Sequence, residues 1–324
     1  MDLWDATPYS LRQLQYLVAV ADLRGFRKAA EACGVSQPSL SAQIAQVEGA
    51  LGVQVFERNA RGVRITERGH PLIERARQVL LAASDLNEAA RQQGDPLRGR
   101  LRIGVIPTVC PYLLPDVAPA LHHALPDLAI VWSEDKTQTL VKQIEDARLD
   151  AAIMANDARI AGLDAVAIGE DPFVLAAAAG HPLVRSAAPA PPSVLDGVTV
   201  LLLEDGHCFR DHALAFCGAV GAREGGLSAT GLSTLVQMVS AGAGVTLLPR
   251  MAVAVENRRG QLAIRRFKPP APSRRLVLAF RKGTARRPSL AAVASVVRTA
   301  WAGEVAMAAS PWVGTVDAAR KGLL

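Results

Sequence analysis

The hydrophobic pattern of this chain changes character at the stretch "QQGDPLRGR", residues 92–100. Before it, apolar residues recur at the three- and four-residue intervals of helices. Beyond it, short apolar runs alternate with helical stretches. A chain with such a break folds as separate units, and Gly94, Asp95 and Pro96 suit the hinge between them. The length agrees, since 324 residues are too many for one ordinary core and fit two or three domains.

The longer part starts at residue 101. "LRIGVIP", "LAIVWSED" and "DAAIMA" read as strands, and "YLLPDVAPALHHAL" and "TLVKQIEDARL" as the helices between them. "PFVLAAAAGHPL", "VTVLLLED", "STLVQMVSAGAGVTLLP" and "RRLVLAFRKG" continue the alternation. This predicts an α/β domain with a mostly parallel sheet. Such sheets bind ligands beyond the carboxyl ends of their strands or between subdomains. The loops "IPTVCPY", "EDKTQT" and "EDGHC" are expected at those ends.

The first ninety residues predict three short helices. Leu11, Leu14, Val18 and Ala21 repeat at helical spacing. Ala29, Ala30 and Cys33 form a small apolar face that Gly34 terminates. Ser36 caps the next helix, with Pro38 in its first turn and Leu40, Ile44, Val47 and Leu51 on its buried stripe. Helix, glycine-containing turn, helix is the helix-turn-helix arrangement. Gln37, Ser39, Ser41 and Gln43 are expected at the exposed start of the third helix, where short polar side chains reach base edges. In "FERNARGVRITERG", Arg58, Arg61 and Arg64 surround a turn expected at Gly62, which reads as a basic wing for phosphates or a minor groove. Residues 67–92 predict one long helix. On it Leu72, Ala76, Val79, Ala83, Leu86 and Ala90 are spaced 4, 3, 4, 3, 4, a heptad seam suited to dimerisation.

Composition removes other classes. The formal net charge of +6 permits a nucleic-acid partner. Scarce aromatics argue against a stacking platform for single strands. Four cysteines are too few for a disulfide scaffold, and neither CxxC nor zinc-type Cys/His spacing is present. No apolar run approaches membrane length, and "MDLWDATPYS" lacks a secretory pattern, so a cytoplasmic location is expected. There is no G-x-S-x-G elbow, and "GAGVTLLP" has neither a Walker lysine nor G-x-G-x-x-G. The expectation is a binding protein and not an enzyme, with no cofactor and no metal site.

The stretch "LLLEDGHCFRDHALAFCGAVG" leaves a question open. Cys208 sits in a polar cluster with His207, Arg210 and Asp211, whereas Cys217 sits in an apolar run. They are either two inert core thiols or a redox pair. Cys208 precedes a predicted helix whose N–H dipoles would favour a thiolate, and Arg210 adds a positive charge. Cys33 reads as an ordinary core cysteine.

The segment from Phe26 to Gly69 resembles the winged helix-turn-helix of LysR-type transcriptional regulators. Ala29-Ala30, Ser36-Gln37-Pro38, Ser41, Ile44, Glu48, Leu51-Gly52, Phe56-Glu57-Arg58 and Thr66 carry the likeness. It implies sequence-specific binding to a double-stranded DNA operator through Gln37, Pro38, Ser39, Ser41, Gln43, Arg58, Arg61 and Arg64, a homodimer or homotetramer, and RNA polymerase as a further partner. Residues 101–302 resemble the family's effector domain, which is similar to periplasmic binding proteins. The expected fold is therefore α/β overall. An all-α winged helix-turn-helix (1–66) and a linker helix with hinge (67–100) precede a two-subdomain effector domain. Its subdomains are 101–171 plus 274–302, and 172–273, followed by a tail at 303–324.

"IPTVCPYLLPDV", "LLEDGHCFRDHALAFC" and "LVQMVSAGAGVTLLP" resemble the hydrogen-peroxide-sensing branch of the same family. That resemblance implies that Cys208 attacks peroxide and Cys217 resolves it as a disulfide. It also implies a peroxide pocket of Thr108, Thr137, His207, Cys208, Arg210 and Asp211. Cys110 departs from the branch, which commonly has glycine there. An intact helix would hold Cys208 and Cys217 about 13 Å apart and on opposite faces, whereas a disulfide needs Cα atoms about 5.5–6 Å apart. The bond would require this segment to unwind. The alternative reading is a regulator that answers a small organic effector in the cleft between subdomains.

Overall fold

The computed structural model describes residues 8–59, 62–91 and 95–307. The chain divides into two compact units, the first ending at Gly94 and the second beginning at Asp95.

In the first unit, helix α1 (Leu11–Leu23) starts at a reciprocal cap between Ser10 and Gln13. Helix α2 (Phe26–Cys33) ends at Gly34, whose φ of +68° suits glycine. Helix α3 (Gln37–Leu51) starts where the Ser36 hydroxyl accepts from the Ser39 amide. Leu17, Val20, Ala29, Leu40 and Val47 are fully buried where the three helices meet. Strands β1 (Phe56–Asn59) and β2 (Gly62–Ile65) form an antiparallel hairpin. The sequence reading put the turn at Gly62, but Gly62 pairs with Asn59 as the hairpin's last rung. The Glu48 carboxylate accepts from the Val55 and Phe56 amides, fastening α3 to the wing. The Thr66 hydroxyl donates to the Gln54 carbonyl and accepts from the Gly69 amide.

Helix α4 (Gly69–Arg91) follows. Ile73 and Ala76 pack into the first unit's core, and Arg77 pairs with Asp22 of α1. Val79 and Leu86, both on the expected seam, stay 45% and 72% exposed. The helix thus anchors on its own domain at one end and presents an apolar edge further along.

The second unit contains β3 (Gly99–Val105), α5 (Cys110–Ala124), β4 (Leu128–Glu134), α6 (Thr137–Glu145) and β5 (Ala151–Ala155). The long β6 (Asp164–Ala178) leads to β7 (Thr199–Leu203), α7 (Cys208–Ala219), β8 (Arg223–Ala229), α8 (Leu232–Ser240) and β9 (Val245–Pro249). The short α9 (Val253–Glu256) and β10 (Leu262–Arg266) precede β11 (Ser273–Phe280) and α10 (Arg287–Met307). The strand order is β4-β3-β5-β11-β6-β9-β7-β8, with β10 also on β6.

This sheet is mixed, which corrects the expectation of a mostly parallel one. β3 lies parallel to β4 and β5, and β7 parallel to β8 and β9. The strands between them, β6 and β11, run antiparallel to their neighbours. The chain leaves one half of the domain along β6 and returns along β11, so those two strands must point opposite ways.

Two apolar cores result. One gathers β3, β4, β5, β11, α5, α6 and α10. The other gathers the second half of β6 with β7, β9, α7 and α8. β6 pairs with β11 as far as Pro172 and with β9 from Phe173 onward, so the strand passes from one set of neighbours to the other between these residues. At the C-terminal end, α10 runs to Met307, so the expected tail begins inside a helix. Residues 308–324 lie outside the described residues.

Candidate functional site

Three helices begin around one narrow crevice. Ile106, Pro107 and Thr108 come from the loop before α5, Lys136 and Thr137 from the start of α6, and Gly206, His207 and Cys208 from the start of α7. These are the three loops expected at the strand ends. Each helix start carries a partial positive charge. The crevice encloses about 150 Å³ of empty space, counting its open mouth. So narrow a crevice, lined by hydroxyl, imidazole and thiol groups, suits at most a very small polar molecule.

Cys208 is the first residue of α7 and is buried, with His207 as the helix cap. Two buried polar atoms of the crevice residues, the Thr137 hydroxyl and His207 Nε2, have no hydrogen-bond partner among the described residues. Such orphans are rare in folded proteins, and here they lie beside a thiol. Burial, and then the charge of Lys136, lower the His207 pKa, so its ring is neutral near pH 7. The ring is also held by the Thr230 backbone.

Thr108 is locked from behind by Arg274, which sequence reasoning missed. Arg274 is fully buried in β11, and its guanidinium donates to the Thr108 hydroxyl at 2.6 Å and to the Thr108 carbonyl at 2.8 Å. It also binds the Asp171 carboxylate at 2.9 Å, in register across the β6–β11 crossing, and stacks on Phe209 of α7. Burial raises the Asp171 carboxyl's pKa while Arg274 pulls it down. The adjacent "RR" in a strand was the available signal, because period-two alternation sends one of the two inward.

Two expected pocket residues are not brought to the crevice. Arg210 donates to Asp205 at 2.8 Å, to the Leu203 carbonyl and to Glu224 at 2.6 Å. Asp211 is half exposed and pairs with Arg159 at 2.8 Å. Arg159, from the short turn Ala158–Ile160 after β5, has its pKa raised by Asp157, then by Asp211 and last by Cys208. The correction has a simple origin: Arg210 is near Cys208 in sequence, but its acidic neighbours turn it away. Lys136, also missed, donates to Glu204 at 2.8 Å and holds that carboxyl below its usual range.

The cysteines occupy different environments. Cys208 packs with the first apolar core and Cys217 with the second, although both belong to one unbroken helix. Burial pushes the Cys217 thiol up to about 11. Burial and the Glu134 carboxylate push Cys110, at the start of α5, up to about 12. Cys33 is half-buried and not fully inside its core.

In the first unit, Gln37, Pro38 and Ser39 are exposed at the start of α3, with Ser41 and Gln43 half-buried behind them. Arg58 lies in β1, Arg64 lies exposed in β2, and Arg61 falls outside the described residues. Among the described residues no helix is long and apolar enough to cross a membrane.

Comparison with known proteins extends the picture. Residues 11–70 match the family model "Bacterial regulatory helix-turn-helix protein, lysR family", and residues 94–302 match "LysR substrate binding domain". The chain is 43% identical over 290 residues to a hydrogen peroxide-inducible genes activator of Dickeya chrysanthemi, covering 89% of this chain and 95% of that one. Among solved structures it resembles a full-length OxyR cysteine variant from Pseudomonas aeruginosa, with TM-score 0.76 and 32% identity over 90% of this chain and 96% of the other. It also resembles a hydrogen-peroxide-bound OxyR mutant from Corynebacterium glutamicum, with TM-score 0.64 and 32% identity over 94% of this chain and 98% of the other.

Proposed function

The chain belongs to the LysR family of bacterial regulators, and from that premise we propose that it is a peroxide-sensing transcriptional regulator of the OxyR kind. The observation that carries the reading is the crevice at Cys208. A buried thiol at a helix start lines the same narrow crevice as two residues with unsatisfied polar atoms.

The chemistry runs in two steps. The Cys208 thiolate attacks one peroxide oxygen, an S–O bond forms and the O–O bond breaks. The departing hydroxide takes up a proton and leaves as water, giving a sulfenic acid. Neutral His207 is suited to accept the proton from the thiol or the peroxide, and the Thr137 hydroxyl to donate to the leaving oxygen. Thr108, fixed by Arg274, supplies a rigid wall. In the second step the Cys217 sulfur attacks the sulfenyl sulfur, an S–S bond forms and a second water leaves. Peroxide is reduced, and the two thiols are oxidised.

Geometry makes the product a signal. Nine residues of helix separate the two cysteines by about 13 Å and point them to opposite faces. A disulfide therefore requires α7 to open and each thiol to leave its own core, a two-state change suited to switching. The exposed start of α3 and the wing serve DNA through Gln37, Pro38, Ser39, Ser41, Gln43, Arg58, Arg61 and Arg64. The exposed edge of α4 serves dimerisation, and RNA polymerase is the partner a regulator of this kind addresses. Mass spectrometry of protein exposed to peroxide tests the reading. A peptide joining Cys208 to Cys217 is expected. Cys208→Ser should abolish the operator response, and Cys217→Ser should stop at a sulfenic acid. A full response in Cys208→Ser would sink the proposal.

A further inference from the structure

Two ion pairs flank Cys208, one on each side in sequence. Before it, Lys136 Nζ donates to the Glu204 carboxylate at 2.8 Å and to the Asp205 carbonyl at 3.2 Å. After it, an Arg159 N–H meets the Asp211 carboxylate at 2.8 Å. Lys136 caps α6 and Arg159 follows β5, both in the first half of the domain. Glu204 and Asp211 lie in the stretch that runs from β7 into α7, in the other half. Gly206 is part of the device. Its φ is +93°, and a Cβ there would lie 3.2 Å from Lys136 Cδ, so glycine lets the lysine lie across the loop.

We propose that Lys136–Glu204 and Arg159–Asp211 form a latch that holds the dithiol form and sets how readily the disulfide forms. This rests on the reading of Cys208 and Cys217 as the redox pair. Cys208 approaches Cys217 only when the stretch from Glu204 to Asp211 moves, and that motion opens both pairs. The side chains keep 24% to 54% of their solvent exposure. Each pair is therefore modest and salt-sensitive. A modest latch biases the switch without blocking it. Lys136 and Arg159 act here as positioning residues, through the acidic groups they hold.

The test is an equilibrium, because that separates the latch from the speed of the peroxide step. Full-length protein is equilibrated with mixtures of reduced and oxidised glutathione, whose thiols supply or accept the two electrons. The Cys208–Cys217 disulfide is then quantified after alkylation. Glu204→Gln and Asp211→Asn should each shift the balance about threefold toward the disulfide, the scale of an exposed ion pair. Exchanging the charges, Lys136→Glu with Glu204→Lys, should return it to the wild-type value. Rising salt should move the wild type toward the disulfide and leave a variant carrying both neutral substitutions nearly unmoved. No shift, a shift toward the dithiol, or failure of the charge exchange to restore the balance would overturn the latch while leaving the switch standing. If the wild type forms no Cys208–Cys217 disulfide, the switch itself is wrong and the latch falls with it.

Discussion

Replacing Arg274 by methionine should damage both stability and sensing. The guanidinium is fully buried, and it neutralises Asp171, which is 1% exposed. Methionine fills similar space but leaves that carboxylate buried without its partner. Breaking one side of a buried pair costs about 3–5 kcal/mol. For a unit of roughly 150–250 residues each kcal/mol is about 2–4 °C, so the melting temperature of the second unit should fall by about 10 °C. The loss should depend on pH with a definite sign. Burial already raises the Asp171 carboxyl's pKa, and without Arg274 the backbone amides of Met251 and Arg250 are left to pull it back. A group whose folded pKa is raised binds its proton more tightly when folded. Its contribution is fully present below the unfolded carboxylate value of about 3.9 and is lost as pH rises through the folded one. The variant's deficit should therefore be smaller at pH 5 than at pH 8. Thermal unfolding across that range, followed by circular dichroism, measures it. Adding Asp171→Asn should restore most of the stability by removing the stranded charge. Freed from Arg274, Thr108 should no longer be fixed, and Cys208 oxidation should slow. A deficit that is equal at both pH values, or below about 1 kcal/mol, would refute the assignment of Arg274 as a charge-compensating anchor.

Other outcomes are expected elsewhere in the chain. Cys110→Ser should retain both the peroxide response and the Cys208–Cys217 peptide, because a thiol pushed up to about 12 carries little thiolate near pH 7; mass spectrometry linking Cys110 to Cys208 would contradict this. Arg64→Ala should weaken binding to all duplexes and lower the slope of log affinity against log salt by about one. Salt titrations of wild type and variant on operator and random DNA check it. Val79→Asp or Leu86→Asp should place an unpaired charge on the apolar edge of α4 and reduce both dimerisation and DNA affinity. Analytical ultracentrifugation showing unchanged assembly would remove α4 as the interface.

Much of this architecture was legible because it depends on local pattern. Ser36, Pro38 and Gly34 mark helix boundaries wherever they occur, and period-3.6 stripes found α1, α3 and α4. The three crevice loops were legible as strand ends. The direction of the central strands was not, because nothing in the residues of β6 and β11 states which neighbours they pair with. The charges around Cys208 were misread for a related reason. Arg210 is two residues away along the chain, yet Asp205 and Glu224 claim it. Arg159, 49 positions earlier, reaches the thiol's surroundings through the fold. Arg274 lies still further away in sequence, and its role exists only because Thr108, Asp171 and Phe209 meet at the crossing. Helical arithmetic on residues 208–217 transferred intact, since a regular helix fixes both rise and rotation.

The crossing of β6 and β11 bears on how such a domain can be built and rebuilt. Pro172 and Ser273 face each other as paired residues on neighbouring strands. The stretch between them thus leaves its host and rejoins it at one place, like a cassette plugged into a two-pin socket. A cassette with adjacent ends can be exchanged for another of different length without redirecting the host's chain. It also has only two covalent leads. Within the second unit, α7 is joined to the other half by those two strands and by the side chains that meet across the crevice. A graft that keeps residues 172 to 273 but alters the socket would keep both cysteines and lose the hold of Arg274 on Thr108.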